Sequence, residues 1–134
     1  MEALRREALG FMRTFQRMYL EQRDIQGLLS IMDPEVTWMG SGGMLPRHGL
    51  AETGADLEAE LREYPSPFLI TESKMDAIPL SSDACIVTGR LCARPVEGAA
   101  VAGLRCRITL VCARGEGGMR LMHLHISAPD REIG

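Results

Sequence analysis

The chain has 134 residues, 46% of them hydrophobic and 25% charged, the balance of one soluble globular domain that can bury a core without disulfides or a structural metal. Its net charge of −3 comes from both signs mixed along the chain, which argues against nucleic-acid binding and against a membrane-surface role, since each needs a concentrated basic stripe. No apolar run nears the roughly 18 residues of a spanning helix, and Met1 to Glu7 lacks the apolar stretch of a signal peptide, so a cytoplasmic setting is expected.

Leu4, Ala8, Phe11, Met12, Phe15, Met18 and Tyr19 recur at helical spacing, with Arg5, Arg6, Arg13, Gln16 and Arg17 on the other side. This predicts an amphipathic helix of about five turns. A shorter helix follows from Asp24 as N-cap, with Ile25, Leu28, Leu29 and Met32 apolar and Asp33-Pro34 ending it. Val36 to Met39 then reads as a strand that turns at Gly40-Ser41-Gly42-Gly43 and folds back through Met44 and Leu45. Thr53-Gly54-Ala55-Asp56 has the form of a capping box and predicts a helix carrying Leu57, Leu61 and Tyr64, closed by Pro65 and Pro67.

From Phe68 onward the chain reads as sheet. Phe68 to Met75, Ala84 to Arg94, Leu104 to Arg114 and Met119 to Ala128 are strand-like runs separated by Pro- and Gly-rich turns. Helices first and a meander afterwards predict an α+β domain spanning residues 1–134, with helices on one face of the sheet and a partner on the other. Cys85, Cys92, Cys106 and Cys112 contain no C-x-x-C pair and sit among apolar neighbours. They read as small buried hydrophobes, and no metal or cofactor is expected.

This order of elements resembles the nuclear transport factor 2-like superfamily across almost the whole chain. Asp33-Pro34-Glu35-Val36-Thr37-Trp38 looks like a SnoaL-like opening, in which a short helix ends and a Trp-bearing strand begins. Gly117-Gly118-Met119-Arg120-Leu121-Met122-His123-Leu124-His125-Ile126-Ser127 is similar to the last strand of that family. It is also similar to the association domain of calcium/calmodulin-dependent protein kinase II, although Met119 stands where an aromatic is usual. The resemblance implies a cone-shaped fold, with N-terminal helices packed on a curved, mostly antiparallel sheet around a cavity, usually as a homodimer. It does not imply one activity, because the fold hosts isomerases, cyclases, dehydratases, oligomerisation modules and sensory domains.

Side chains alternate along a strand, so residue parity separates its two faces. Leu104, Cys106, Ile108, Leu110 and Cys112 form a wholly apolar set and predict the core face of their strand. In the last strand Met122, Leu124 and Ile126 oppose His123, His125 and Ser127. In the strand before these two, parity alone leaves the inner face open. By resemblance to the kinase association domain, Arg90 matches a cavity arginine and Ile126 points inward. Arg90 is therefore the first expected ligand contact, where a carboxylate would satisfy the guanidinium. Pairing with a protein carboxylate such as Glu72 is the structural alternative.

Trp38 is expected to be a stacking platform or a core residue, and Tyr19, Tyr64, Met122 and Ile126 complete the expected cavity wall. His123, His125 and His48 are weighed as a zinc site and not adopted, because parity sets the pair away from the cavity and no supporting carboxylate motif accompanies them. Glu72, Asp76 and His48 are the bases within reach of the sheet, but none forms a dyad, so no residue is assigned a catalytic role. The expected function is a non-catalytic sensory or regulatory domain, binding a partly apolar ligand that in the sharper form of the reading is anionic, within a longer signalling protein. The alternatives are a cofactor-independent isomerase, cyclase or dehydratase acting on a polyketide-like or steroid-like compound, and an architectural module with a vestigial cavity.

Overall fold

The computed structural model describes residues 1–40, 45–96 and 103–128. Helix α1 (Glu2–Gln16) buries Leu4, Ala8, Met12 and Phe15 at four- and three-residue spacing and packs on the sheet. It continues into a π-helical turn, Arg17–Glu21, closed by Gln22 N–H donating to Arg17 O at 2.8 Å. The widened turn leaves Tyr19 and Leu20, adjacent in sequence, both buried. Helix α2 (Ile25–Ser30) starts at Asp24, whose carboxylate accepts from Gly27 N–H at 2.9 Å as expected of an N-cap.

Three local expectations shift. Helix α2 stops at Ser30, and β1 runs over Met32–Met39, so Asp33-Pro34 lies inside the strand. Proline is accommodated because the register of β1 is irregular between Met32 and Thr37, where no ladder bond is demanded. The returning strand β2 is Arg47–His48, paired with Trp38 and Thr37, whereas Ser41 to Met44 lie outside the described residues. Helix α3 (Gly49–Glu63) opens four residues before Thr53. Its start is fixed by Glu52, whose carboxylate accepts from His48 N–H at 2.9 Å, while Thr53 is turned inward and fully buried.

The long strands are β3 (Phe68–Pro79), β4 (Ala84–Pro95), β5 (Leu104–Gly115) and β6 (Gly118–Ser127). They join β1 and β2 in one sheet ordered β2-β1-β6-β5-β4-β3, antiparallel except where β1 runs parallel to β6. Gly118, at φ 106°, makes the tight turn into β6, a conformation that glycine reaches without a Cβ penalty. At Gly89 a Cβ would collide with the backbone carbonyl of Lys74, so β3 and β4 approach there more closely than any other residue allows.

Register decides which residues face the helices. Cys85, Val87, Leu91 and Ala93 of β4 and Ile108, Leu110 and Cys112 of β5 are buried, and the odd positions of β4 pair with the even positions of β5. Each Val, Leu and Ile side chain among them contributes roughly 1.5–3 kcal/mol through removal from water. The expected core face of β5 is thus observed, and Ile126 points inward as expected. Met122 does not. Val111 pairs with His123 but Cys112 pairs with Leu121, so Met122 is the extra residue of a bulge and is only half-buried. Leu121 takes the inward place.

Candidate functional site

Within a largely aliphatic core, three buried aromatic side chains meet. Phe15 stacks on Tyr19 at 5.7 Å between ring centroids, and Trp38 meets Tyr19 edge-on at 5.7 Å and Phe15 at 6.1 Å. Much of the interior space expected for a guest is therefore occupied by the protein's own rings. Beside this cluster, among the π-helical turn, α2 and α3, lies a hollow of about 10 Å³ lined by Tyr19, Arg23, Ile25, Leu28, Leu57, Glu60 and Leu61. That is room for about one water molecule.

A polar cluster guards the hollow. Tyr19 Oη donates to Glu60 Oε1 at 2.5 Å. Burial pushes the Glu60 carboxyl above its ordinary range, against the opposing pull of the Tyr19 hydrogen bond and the Arg23 charge. Burial, reinforced by the Glu60 charge, also pushes the Tyr19 phenol well above its ordinary value. Arg23 is held in the left-handed region, φ 53°, at the junction before α2. Its Nη1 donates to Tyr19 O at 3.1 Å and its Nη2 to Tyr64 O at 2.7 Å, while its plane stands over the rings of Tyr19 and Phe68. Arg23 Nε is buried with no hydrogen-bond partner among the described residues. Arrayed around one small space are a carboxyl inclined to keep its proton, a phenol and an unused guanidinium N–H. Such a set can bind an oxygen-bearing group or pass it a proton.

The expected site residues divide. Tyr19 lines the hollow, and Trp38 and Ile126 are buried in the same core. Tyr64 contributes its backbone carbonyl to Arg23, but its side chain belongs to a residue 50% exposed on the surface. Arg90 is on the outer face: its side chain is 61% exposed and its Nε lies 3.3 Å from Glu72 Oε1. The cause is register, since Arg90 pairs with Lys74 and Arg107 and the odd residues of β4 face the helices. The expected placement of Arg90 in the cavity is thereby corrected.

His123 and His125 also lie outward, His123 Nδ1 2.6 Å from Thr37 Oγ1. His48 pairs with Glu35 at 3.2 Å on the surface. No cluster of three or more metal-capable side chains occurs among the described residues. Arg23 and Glu60 are not among the expected site residues. Glu60 has a signal: Thr53, Leu57 and Glu60 share one helical stripe, so a carboxylate there faces the core side. Arg23 has none, because its role depends on its backbone angle.

The curved sheet, its order and the helices on one face can now be set against solved structures. The chain has the nuclear transport factor 2-like fold. One such protein of unknown function, from Pseudomonas putida, superposes with a TM-score of 0.84 at 18% identity over 99% of this chain and 92% of that one. A provisionally named calcium/calmodulin-dependent protein kinase II association domain from Xanthomonas campestris gives 0.78 at 14% identity over 92% and 86%. A provisionally named dehydratase of the same fold family from Streptomyces avermitilis gives 0.74 at 17% identity over 91% and 94%. No protein-family model and no curated protein sequence matches the chain. At these identities the nuclear transport factor 2-like likeness is one of fold, and function has to be argued from the residues of this chain.

Proposed function

We propose that this chain is a non-catalytic, small-molecule-binding sensory or regulatory domain whose ligand enters beside Tyr19, Arg23 and Glu60. The observation that carries the reading is Arg23 Nε, a buried donor without a partner among the described residues, on a side chain that lines a hollow walled by Ile25, Leu28, Leu57 and Leu61. An unpaired buried donor is costly, and a ligand oxygen would satisfy it. The walls suit an apolar body, and a carboxylate suits the guanidinium. Binding must widen the hollow, since as it stands it holds about one water. The π-helical turn and the C-terminal end of α3 are the elements that would move apart.

A second reading rests on Glu60. A carboxyl with a raised pKa beside a buried phenol suits a cofactor-independent isomerase or dehydratase once a substrate opens the Tyr19–Glu60 bond, which frees the carboxyl to move a proton and the phenol O–H to donate to an oxyanion. The homodimer and a longer signalling parent belong to the same proposal. The outer face supports a partner, because half-buried Met39, Ile86 and Val111 lie beside His123 and the Thr88–Thr109 pair.

A thermal-shift series with benzoate and cyclohexanecarboxylate tests the binding reading. The expected result is a concentration-dependent rise in Tm that is lost in Arg23→Ala and kept in Arg90→Ala. No rise with any apolar carboxylate, or a rise unchanged in Arg23→Ala, contradicts it. Turnover of a carbonyl substrate that disappears in Glu60→Gln while binding persists would favour the enzyme.

A further inference from the structure

Strand register gathers, at one end of the outer face, cations that lie far apart in the sequence. Arg90 pairs directly with Lys74 on one side and with Arg107 on the other, and directly opposed residues of antiparallel strands point to the same face. Arg105 and Arg94 share that face, being an even number of positions from Arg107 and Arg90 on the same strands. Lys74, Arg90, Arg94, Arg105 and Arg107 are all exposed. Glu72 holds Arg90 at 3.3 Å, and Asp76 stands opposite Thr88 at the border of the group. Lys74, Arg94, Arg105 and Arg107 form no ion pair among the described residues. The whole chain carries a net charge of −3, so this patch reverses the sign locally, and the mixed order of charges along the chain hides it.

Like charges directly opposed across strands destabilise the pairing, and Lys74, Arg90 and Arg107 form one row on strands about 4.8 Å apart. An anionic occupant relieves that repulsion, whereas a second copy of this chain laid cation against cation would add to it. Beyond the Thr88–Thr109 pair the same face turns apolar at half-buried Ile86 and Val111, so the cations fill only the other half. Ion pairs at exposed side chains are individually weak, so affinity there needs several anions tied into one molecule. Phe68 is the only aromatic residue of β3, β4 and β5 and it is buried, so the patch has no platform on which nucleic-acid bases could stack. Arg90 and Arg94 are about 13 Å apart along β4, a reach that suits an extended peptide of several residues better than a compact phosphate ester. We infer that this half of the outer face docks an acidic segment of a partner protein, whose Asp and Glu carboxylates pair with Lys74, Arg94, Arg105 and Arg107. It uses neither Arg23 nor Glu60 and so goes beyond the reading above.

Fluorescence anisotropy of a fluorescein-labelled octaglutamate peptide, titrated with the full chain, tests the proposal. Saturable binding is expected, weakened about tenfold or more in the double variant Arg105→Gln/Arg107→Gln and tightened in Glu72→Gln, which releases Arg90. The double variant Arg6→Gln/Arg13→Gln removes the same charge from exposed positions of α1 and should bind as the unaltered chain does. Arg23→Ala should also bind unchanged, which separates failure here from failure at the Tyr19–Glu60 hollow. Both arginines replaced in the patch are exposed, and circular dichroism checks that each variant keeps its fold. No saturable binding, equal weakening in the two double variants, tighter binding of pyrophosphate or of oligothymidylate than of the peptide, or exclusion of the peptide by self-association of the chain overturns the proposal.

Discussion

Tyr19 Oη and Glu60 Oε1, 41 positions apart in the chain, meet at 2.5 Å and join the π-helical turn after α1 to the last third of α3. Both residues line the hollow, so a guest that enters it meets this bond. Its energetics are open to titration.

Burial raises the Glu60 carboxyl above its ordinary value near 4.5, so the folded state binds the proton more tightly than the unfolded chain does. The resulting stability is full below that ordinary value and is lost as pH rises through the folded value. Glu60→Gln keeps an acceptor for Tyr19 and removes the titration. Denaturant unfolding at several pH values should show the unaltered chain losing stability relative to Glu60→Gln as pH rises across this window. Parallel curves would mean that Glu60 is not held in a raised state.

His123 titrates with the opposite sign. Burial, then the neighbouring His125, lowers its pKa, so the unfolded chain takes up a proton before the folded one. Its contribution is present above the ordinary histidine value near 6.5 and is lost as pH falls through the folded value. In His123→Gln the fall in stability on acidification over this range should be shallower, as read from urea midpoints.

Gly89 has no room for a side chain, because a Cβ there meets the Lys74 carbonyl. Gly89→Ala must push β3 from β4 and should cost about 1–3 kcal/mol, as overpacking does in other interiors. Chemical denaturation measures it, with Gly117→Ala in the exposed turn before β6 as the neutral comparison.

Leu110→Ala and Arg90→Ala contrast the two faces of the sheet. Leu110 is fully buried, and its truncation should cost about 2–5 kcal/mol. Arg90 pairs with Glu72 on the surface, both side chains open to water, and its removal should fall within about 1 kcal/mol of no effect. Equal losses in the two variants would place Arg90 in the core after all.

Where hydrophobic period and strand register agree, the sequence is readable. Of the apolar set Leu104 to Cys112, Ile108, Leu110 and Cys112 are buried and Leu104 and Cys106 half-buried, on the face that the spacing predicts. The periodicity fails where the backbone adds a residue. At Met122 the bulge shifts the inward place to Leu121, and at Tyr19 and Leu20 the π-helical turn buries two successive residues. Both depend on neighbouring strands and helices that local spacing does not record. Arg90 marks a different limit: parity left its face open, and likeness to a distant fold supplied the wrong one. At the hollow, helical spacing marks Tyr19 and Glu60, whereas the place of Arg23 depends on a positive backbone angle that spacing does not record.

Binding of an apolar carboxylate inside the cone, at Arg23 and Glu60, can be read by calorimetric titration of the unaltered chain, Leu61→Trp and Arg90→Ala with the tightest carboxylate of the benzoate series. Leu61→Trp puts a larger ring into the wall of the hollow and should abolish the heat of binding, with Arg90→Ala indistinguishable from the unaltered chain. Binding that survives Leu61→Trp and vanishes in Arg90→Ala would contradict the account and move the site to the outer face of the sheet.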